Sequence, residues 1–173
     1  GTRLGILGMG RIGRKIARIA KSLGMIIHYH NRSKLSDDKE DGATFHKDLK
    51  SLLNISDVLS ICCPATKETT NLINKETLEY LPPGAVVTNV ARGDIVNDEA
   101  LIEALNRRKV YAVGLDVYKG EPNLNSGYLK HKSAFILPHL GSASKHTRTA
   151  MADLAIDNID EFFKTGACKN KVN

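Results

Sequence analysis

Three residues with charged or proton-transferring side chains each stand just beyond a short apolar segment, namely Arg92, Glu121 and His139. If the apolar segments are parallel strands, their carboxyl ends share one edge of the sheet, where open α/β sheets bind ligands. Singly, these residues could be a surface cation, an acid before a proline turn and a histidine that caps a strand. Together, beside a cofactor crevice, they are the minimum set for hydride transfer to a keto acid.

A glycine-rich turn gives that crevice a place for an anionic cofactor. The hexapeptide Gly8-Met9-Gly10-Arg11-Ile12-Gly13 fits the pattern G-x-G-x-x-G and follows an apolar run at residues 4–7. The first glycine permits a sharp turn, the second lets the backbone approach a pyrophosphate, and the third lets strand and helix pack closely. Because apolar residues at helical spacing come next, the turn predicts dinucleotide binding rather than a structural glycine cluster.

The residues after the second predicted strand indicate which dinucleotide is bound. In an NAD site an Asp or Glu there bonds the adenosine ribose and repels the extra phosphate of NADP, but Asn31 stands at that place. Arg32 can pair with a 2′-phosphate through two hydrogen bonds, Ser33 can donate to it, and Lys34 adds a nearby charge. We expect a preference for NADPH, with NAD possible; the alternative is that the cations only solvate a loop.

The elements that position these residues alternate along the chain. Apolar runs predict strands at residues 4–7, 25–29, 58–62, 85–89, 111–115 and 134–137. Helical spacing predicts helices after the glycine turn, at 46–53, at 75–81, after a cap at Asn97 or Asp98, and at 144–163. Residues 31–42 are expected to form a loop, which could include one ragged turn of helix. This alternation predicts a Rossmann-type α/β fold, a doubly wound parallel sheet with helices on both faces.

Composition limits the class of protein. With 173 residues, 42% of them hydrophobic, the chain can bury one core, and we expect a single compact domain. The net charge of +6 comes from cations interleaved with acids and accompanied by few aromatic residues, which disfavours nucleic acid binding. No apolar run is long enough for a membrane span or signal peptide, so the cytoplasm is expected. Three cysteines without CxxC spacing argue against disulfides and a metal site.

Four segments of the sequence, in order, resemble signatures of the D-isomer-specific 2-hydroxyacid dehydrogenase family. They are GTRLGILGMGRIG, NVARGDIV, GLDVYKGEP and LPHLGSA, and together they span nearly all of the chain. Several ordered motifs are far more specific than a glycine turn alone. Within the family, HNRS after the second strand and PHLGSASKHTRTAM are most similar to the glyoxylate and hydroxypyruvate reductases.

The resemblance implies a catalytic role for each of the three residues first singled out. Arg92 would bind the substrate carboxylate and polarise the keto oxygen, because guanidinium offers a planar fork of donors. His139 would protonate that oxygen as hydride reaches the carbon, and Glu121 would orient the ring and favour its imidazolium form. The implied reaction is NADPH-dependent reduction of a small 2-keto acid, glyoxylate or hydroxypyruvate, to the D-2-hydroxy acid.

The same resemblance implies contacts with two parts of the cofactor. The pyrophosphate would meet the backbone around Met9, Arg11 and Ile12. The nicotinamide end would be contacted by residues from several strand ends, which are Pro64 lining the cleft, Val90 and Ala91 near the ribose, Asp116 at the carboxamide and Gly141 beside the ring.

One position departs from the family pattern. Many relatives have His-Cys-Pro where this chain has Cys62-Cys63-Pro64, so Cys62 replaces a residue near the cofactor cleft. Cys62 could be only a small buried apolar residue, and hydride transfer needs no cysteine nucleophile.

The architecture of the family sets expectations for the rest of the molecule. Relatives build the active site between two domains, and residues 1–173 match the dinucleotide-binding domain, with the preceding substrate domain absent. The helix within 144–173 would pack toward that missing domain, and family members commonly form homodimers through the cofactor domain. We expect the chain to bind NADPH but to turn over little, because water reaches the nicotinamide when one wall is missing.

Two other functions compete with a keto acid reductase. An NAD-dependent member of the same family, such as a phosphoglycerate dehydrogenase, would share the site, although many of these carry an acidic residue at the position of Asn31. A nucleotide-sensing binding module similar to the C-terminal binding protein corepressors would also keep the Arg, Glu and His. The sequence does not distinguish among keto acids, because selectivity depends largely on the missing domain.

Overall fold

The computed structural model describes residues 1–171, and within that range seven parallel strands form one sheet. In chain order they are β1 (Arg3–Leu7), β2 (Ile26–His30), β3 (Thr44–His46), β4 (Val58–Ile61), β5 (Ala85–Asn89), β6 (Val110–Leu115) and β7 (Ala134–Ile136). Across the sheet the order is β3-β2-β1-β4-β5-β6-β7, so β1 pairs with β2 on one side and with β4 on the other. Such a reversal of order leaves a crevice at the carboxyl ends of the strands, where ligands bind.

Six α-helices occur in the same described range, besides two short 3₁₀ helices at Gly93–Ile95 and Tyr128–Lys130. The α-helices are α1 (Arg11–Ser22), α2 (Asp37–Glu40), α3 (Leu49–Leu53), α4 (Lys75–Glu79), α5 (Asp98–Asn106) and α6 (Lys145–Thr165). The chain forms two compact units. The first, Gly1–Pro138, contains the sheet and α1 to α5, and the second begins at His139 and contains α6.

The predicted Rossmann-type α/β class is confirmed, but the prediction around β3 was wrong. A helix was predicted at residues 46–53, whereas His46 is the last residue of β3, which pairs in parallel with β2. The helix begins only at Leu49, because the Asp48 carboxylate accepts a hydrogen bond from the Ser51 backbone N–H at 2.8 Å. A strand of three residues is too short to show an alternating pattern in sequence.

Apolar side chains alternate between the two faces of the sheet and form two cores. On one face, Leu4 and Ile6 of β1 pack with Ala17 of α1. On the other, Val87 of β5 belongs to a larger cluster that includes Leu101 of α5. Because both faces are covered by helices, the sheet is a fixed frame for the loops at its carboxyl edge.

Helices in the first unit differ in how they begin. Asn97, one of the two predicted caps, accepts a hydrogen bond from the Ala100 backbone N–H at 2.8 Å at the start of α5. Asn74 forms a capping box at the start of α4. The residue before α1 is Gly10, which has no side chain to cap the helix. The first amides of α1 are therefore left to an acceptor from outside the helix.

An ion pair joins the amino ends of β1 and β4. Asp57 accepts hydrogen bonds from Arg3 Nη2 at 2.6 Å, Arg3 Nε at 3.0 Å and the Arg3 backbone N–H at 2.9 Å. These bonds lower the pKa of Asp57 to about 2 from its ordinary value of 3.8. Because the side chains are 40% and 35% exposed, solvent screening limits the pair to on the order of 1 kcal/mol of stability.

Acid should weaken this pair. The folded-state pKa of Asp57 is depressed, so its contribution is fully present above about pH 4 and is lost as the pH falls toward about 2. We expect Asp57→Asn to lower the free energy of unfolding at neutral pH by on the order of 1 kcal/mol and to remove that part of the acid dependence. Urea unfolding at several pH values measures both effects. Arg3→Gln is the reciprocal control, and identical acid dependence in all three proteins would contradict the prediction.

Candidate active site

Close backbone contacts shape the glycine turn between β1 and α1. Gly8 has a φ of 95°, and a Cβ there would lie 2.5 Å from the Cα and N atoms of Cys63. A Cβ on Gly13 would lie 2.6 Å from the Gly8 carbonyl oxygen. By contrast, a Cβ on Gly10 would meet no heavy atom within 4 Å. Packing thus requires the two outer glycines, and the middle one leaves space in which a ligand can approach the backbone.

The amino end of α1 suits an anion. The Arg14 N–H donates to the Gly10 carbonyl at 3.0 Å, and the amides of Arg11 and Ile12 precede this bonded turn. The helix dipole adds partial positive charge at the same end. The Met9 amide is already engaged, because it donates to Asn31 Oδ1 at 2.7 Å. A pyrophosphate therefore fits the amides of Arg11 and Ile12 better than that of Met9.

A cleft of about 420 Å³ lies beside this helix end. It is lined by residues from the glycine turn, from the segment after β4 and from the segment after β5, which are Ile12, Cys62, Cys63, Pro64, Ala65, Val90, Ala91 and Arg92. The structure therefore brings together in one cleft the predicted site residues from three separate segments. Cys63 and Ala65 also line it, and the sequence analysis assigned neither of them to the site.

The two cysteines in the cleft are poor nucleophiles. Burial raises the pKa of the Cys62 thiol, although a hydrogen bond with Ser60 partly opposes this. Burial raises the pKa of Cys63 to about 11. Both thiols are therefore protonated near neutral pH, and they act in the cleft as apolar wall.

Asn89 shapes the loop that carries Arg92. Its side chain is buried, its Oδ1 accepts from the Ala91 N–H at 3.0 Å, and its Nδ2 donates to the Arg92 carbonyl at 2.9 Å. Its own carbonyl accepts from the N–H of Asp116, the predicted carboxamide contact, at 3.0 Å. Asn89 was not among the residues predicted for the site. The available signal was a polar residue at the end of an otherwise apolar strand, directly before the candidate loop.

The loops that carry Arg92 and Glu121 touch through their backbones. A Cβ on Gly93 would lie 2.1 Å from the carbonyl carbon of Tyr118, so only glycine fits between the two loops. The Glu121 carboxylate accepts a hydrogen bond from the Tyr118 N–H at 3.1 Å. Arg92 is exposed, and its Nη1 donates to the Ala91 carbonyl at 2.6 Å. The guanidinium and the carboxylate thus stand on adjoining loops at the carboxyl edge of the sheet.

The segment after β2 presents several polar side chains to solvent. Arg32 and Ser33 are exposed, whereas Asn31 turns its side-chain oxygen toward the glycine turn. Lys34, expected to add charge beside a phosphate, instead places its Nζ 3.3 Å from Glu40 Oε2. A 2′-phosphate recognised here would therefore meet Arg32 and Ser33 first.

His139 and Gly141 belong to the second unit. His139 is its first residue and has a φ of 57°, a left-handed conformation that is uncommon for a residue with a side chain. The segment that follows makes a turn in which the Ala143 N–H donates to the Leu140 carbonyl at 2.9 Å. Ser144 then caps α6 by accepting from the Thr147 N–H at 3.1 Å.

Two other kinds of site are absent from residues 1–171. Within them, no group of three or more His, Cys, Asp or Glu side chains is arranged to hold a metal ion. No helix in this part of the chain combines the length and the apolar character needed to cross a membrane. The uncapped helix end, the open space at Gly10 and the adjoining cleft fit a dinucleotide.

Comparison with known proteins gives the family. Residues 1–141 match the model of the D-isomer specific 2-hydroxyacid dehydrogenase, NAD binding domain. A glycerate dehydrogenase from Hyphomicrobium methylovorum is 43% identical over 162 residues, which cover 92% of this chain and 50% of the relative. A glyoxylate reductase from Thermococcus litoralis is 38% identical over 173 residues, or 100% of this chain and 52% of the relative.

Solved structures indicate the same family. An NADPH-dependent glyoxylate/hydroxypyruvate reductase from Sinorhizobium meliloti, in complex with NADP and malonate, superposes with a TM-score of 0.94 at 37% identity. The match covers 99% of this chain and 53% of that one. The chain thus spans about half the length of the relatives it matches. It belongs to the D-isomer specific 2-hydroxyacid dehydrogenase family and contains the NAD binding domain of that family.

Proposed function

We propose that the chain is the cofactor-binding domain of an NADPH-dependent enzyme that reduces a small 2-keto acid to the D-2-hydroxy acid. The cleft in which Ile12, Pro64 and Val90 lie beside Arg92 carries this proposal, because cofactor-facing and substrate-facing groups share it. Glyoxylate and hydroxypyruvate are the leading substrates. Relatives named glyoxylate reductase and glycerate dehydrogenase support both, since glycerate is the hydroxy acid that reduction of hydroxypyruvate forms.

The proposed preference for NADPH rests on the residues after β2. No carboxylate stands at Asn31, and the Asn31 side chain accepts a hydrogen bond from the Met9 amide. A 2′-phosphate would therefore meet no repelling acid at that position, while the exposed Arg32 and Ser33 could donate hydrogen bonds to it. The similar reductase from Sinorhizobium meliloti, solved with NADP, supports this reading.

The proposed mechanism assigns one task to each polar side chain. When bound, reduced nicotinamide would supply the hydride that is added to the keto carbon, which forms the new C–H bond of the product. Arg92 binds the carboxylate of the keto acid and polarises its keto oxygen. His139 gives a proton to that oxygen, and Glu121 orients the histidine ring for that transfer, so that the carbonyl becomes a hydroxyl. In the reverse direction His139 accepts the proton.

The complete enzyme is proposed to be larger than the described structure. The relatives are about twice as long as the matched region. We assign residues 1–173, of which 172 and 173 lie outside the described residues, to the dinucleotide-binding domain. A substrate domain equivalent to the other half of the relatives would complete the active site, with α6 packed toward it. Two copies would pair through the cofactor domain.

The first test of this proposal measures cofactor preference. Calorimetric titration of the chain with NADPH and NADH should give tighter binding of NADPH by about 1.4 kcal/mol or more, which is about tenfold. Arg32→Ala should abolish that difference while leaving NADH binding unchanged, because NADH has no 2′-phosphate. Arg107→Ala is a matched control, since it removes an exposed arginine just before β6, at the opposite edge of the sheet.

Equal affinity for both cofactors would contradict the NADPH preference and favour an NAD-linked dehydrogenase of the same family. Binding of both cofactors without any turnover by a complete enzyme would favour a nucleotide-sensing module. Binding of neither would contradict the assignment of the glycine turn.

The second test concerns the substrate. In a form of the enzyme that turns over, Arg92→Lys should lower kcat/KM for glyoxylate and hydroxypyruvate on the order of a hundredfold, because lysine cannot pair with a carboxylate through two parallel bonds. The affinity for NADPH should change by less than about threefold. Steady-state kinetics and parallel titration separate the two effects. Unchanged kcat/KM would remove Arg92 from the proposed mechanism.

A further inference from the structure

The segment that carries Arg32 and Ser33 is tied down at its start. The Gly8 N–H donates to the His30 carbonyl at 3.0 Å, and the Met9 N–H donates to Asn31 Oδ1 at 2.7 Å. Two hydrogen bonds thus hold the beginning of the segment against the glycine turn. The position of Asn31 is fixed relative to the site proposed for the pyrophosphate.

The same segment is tied down again just beyond Ser33. Tyr29 is fully buried, and its hydroxyl donates to Glu40 Oε1 while accepting the Leu35 backbone N–H at 3.0 Å. Lys34 Nζ lies 3.3 Å from Glu40 Oε2 and 3.7 Å from Asp37 Oδ1. Glu40 itself is only 9% exposed. One buried tyrosine and one buried carboxylate therefore hold two consecutive residues, Lys34 and Leu35.

Only Arg32 and Ser33 lie between these two sets of bonds, and both are exposed. The charge of Arg32 acts toward the loop after β4, where the pKa of Glu68 is lowered mainly by a hydrogen bond with Thr66 and in smaller part by Arg32. Arg32 thus interacts weakly with an acid of that loop. The position from which Arg32 can contact a ligand depends on the hydrogen bonds that hold residues 31–35.

The buried hydrogen bond between Tyr29 and Glu40 persists at neutral pH. Burial, together with the hydrogen bond to Glu40, raises the pKa of Tyr29 to about 12, so its hydroxyl remains a donor at neutral pH. The Tyr29 ring also packs against Phe45 of β3, with centroids 5.3 Å apart. Lys34 is exposed as well, but its charge is paired with Glu40 and Asp37, whereas Arg32 has no ion-pair partner among the described residues.

We propose that Tyr29 and Glu40 are positioning residues for cofactor specificity, because they fix the segment from which Arg32 and Ser33 reach a 2′-phosphate. Neither side chain touches the cofactor in this proposal. A segment held in its binding conformation loses less freedom when the phosphate binds. The inference rests on the proposed preference for NADPH and identifies the residues outside the binding site that maintain it.

Tyr29→Phe tests the proposal, because it removes one hydroxyl and keeps the packed ring. The measured quantity is the ratio of the dissociation constants of NADH and NADPH. We expect the variant to lower this ratio by about fivefold, through weaker binding of NADPH, with NADH affinity within about twofold of the unaltered protein. A purely structural loss would weaken both cofactors together and leave the ratio unchanged.

Tyr128→Phe is the matched control. Tyr128 is also fully buried, and its hydroxyl donates to a carboxylate, Asp98, at 2.9 Å. Its neighbours lie in α5 and in the turn before β7, away from the segment after β2. This variant should lower stability as Tyr29→Phe does and should leave the NADH to NADPH ratio unchanged.

A double variant identifies the residue through which Tyr29 acts. If the tyrosine works by positioning Arg32, then Tyr29→Phe should have no further effect on the ratio once Arg32→Ala is present. Equal effects in the presence and absence of Arg32 would show a different route and would overturn the proposal. An unchanged ratio in Tyr29→Phe would overturn it as well.

A measurement on the unaltered chain remains decisive if Tyr29→Phe fails to fold. Adenosine 2′,5′-bisphosphate and adenosine 5′-monophosphate serve as probes that differ only in the 2′-phosphate. The bisphosphate should slow hydrogen exchange of the Leu35 amide more than the monophosphate does. If the hydrogen bond from Leu35 to Tyr29 favours phosphate binding at Arg32 and Ser33, then phosphate binding must stabilise that hydrogen bond in return. Equal exchange with both probes, although the first binds more tightly, would overturn this inference alone. Equal affinity for both probes would overturn the NADPH preference itself, and the inference with it.

Discussion

The pairing of β1 with β2 on one side and β4 on the other is the constraint on which the site depends. Gly8 lies directly after β1, donates its N–H to the end of β2 and packs its backbone against Cys63, just after β4. A single residue without a side chain thus joins three chain segments at the point where the order of strands reverses. The cleft keeps its shape because these segments cannot separate without losing both the bond and the close packing.

Positive charges at this edge of the sheet differ in their surroundings. The amides at the start of α1 provide partial positive charge from the backbone, and Arg32 provides a full charge on an exposed side chain. Lys34, only two residues further on, forms ion pairs with Glu40 and Asp37. Neighbouring cations in one short segment therefore have different partners, which only the folded structure reveals. The apolar thiols of Cys62 and Cys63 complete the opposite wall of the cleft.

The strands at the centre of the sheet could be predicted because each is a clear apolar run between turn residues. Their carboxyl ends indicated the edge of the sheet at which the cleft lies. β3 could not be predicted, since three residues carry too little pattern and the Asp48 cap was hidden inside a plausible helix. The roles of Asn89 and Lys34 could not be predicted from the sequence either. Both depend on hydrogen bonds or ion pairs with residues that only the folded chain brings near.

The backbone contact between Gly93 and Tyr118 holds together the loop that carries Arg92 and the loop that carries Glu121. A side chain at residue 93 would collide with backbone atoms, which cannot rotate aside as a flexible side chain can. A change in the length or direction of one loop is therefore transmitted to the other. An insertion or deletion in either loop would shift the backbone that carries Arg92 and the backbone that carries Glu121 together.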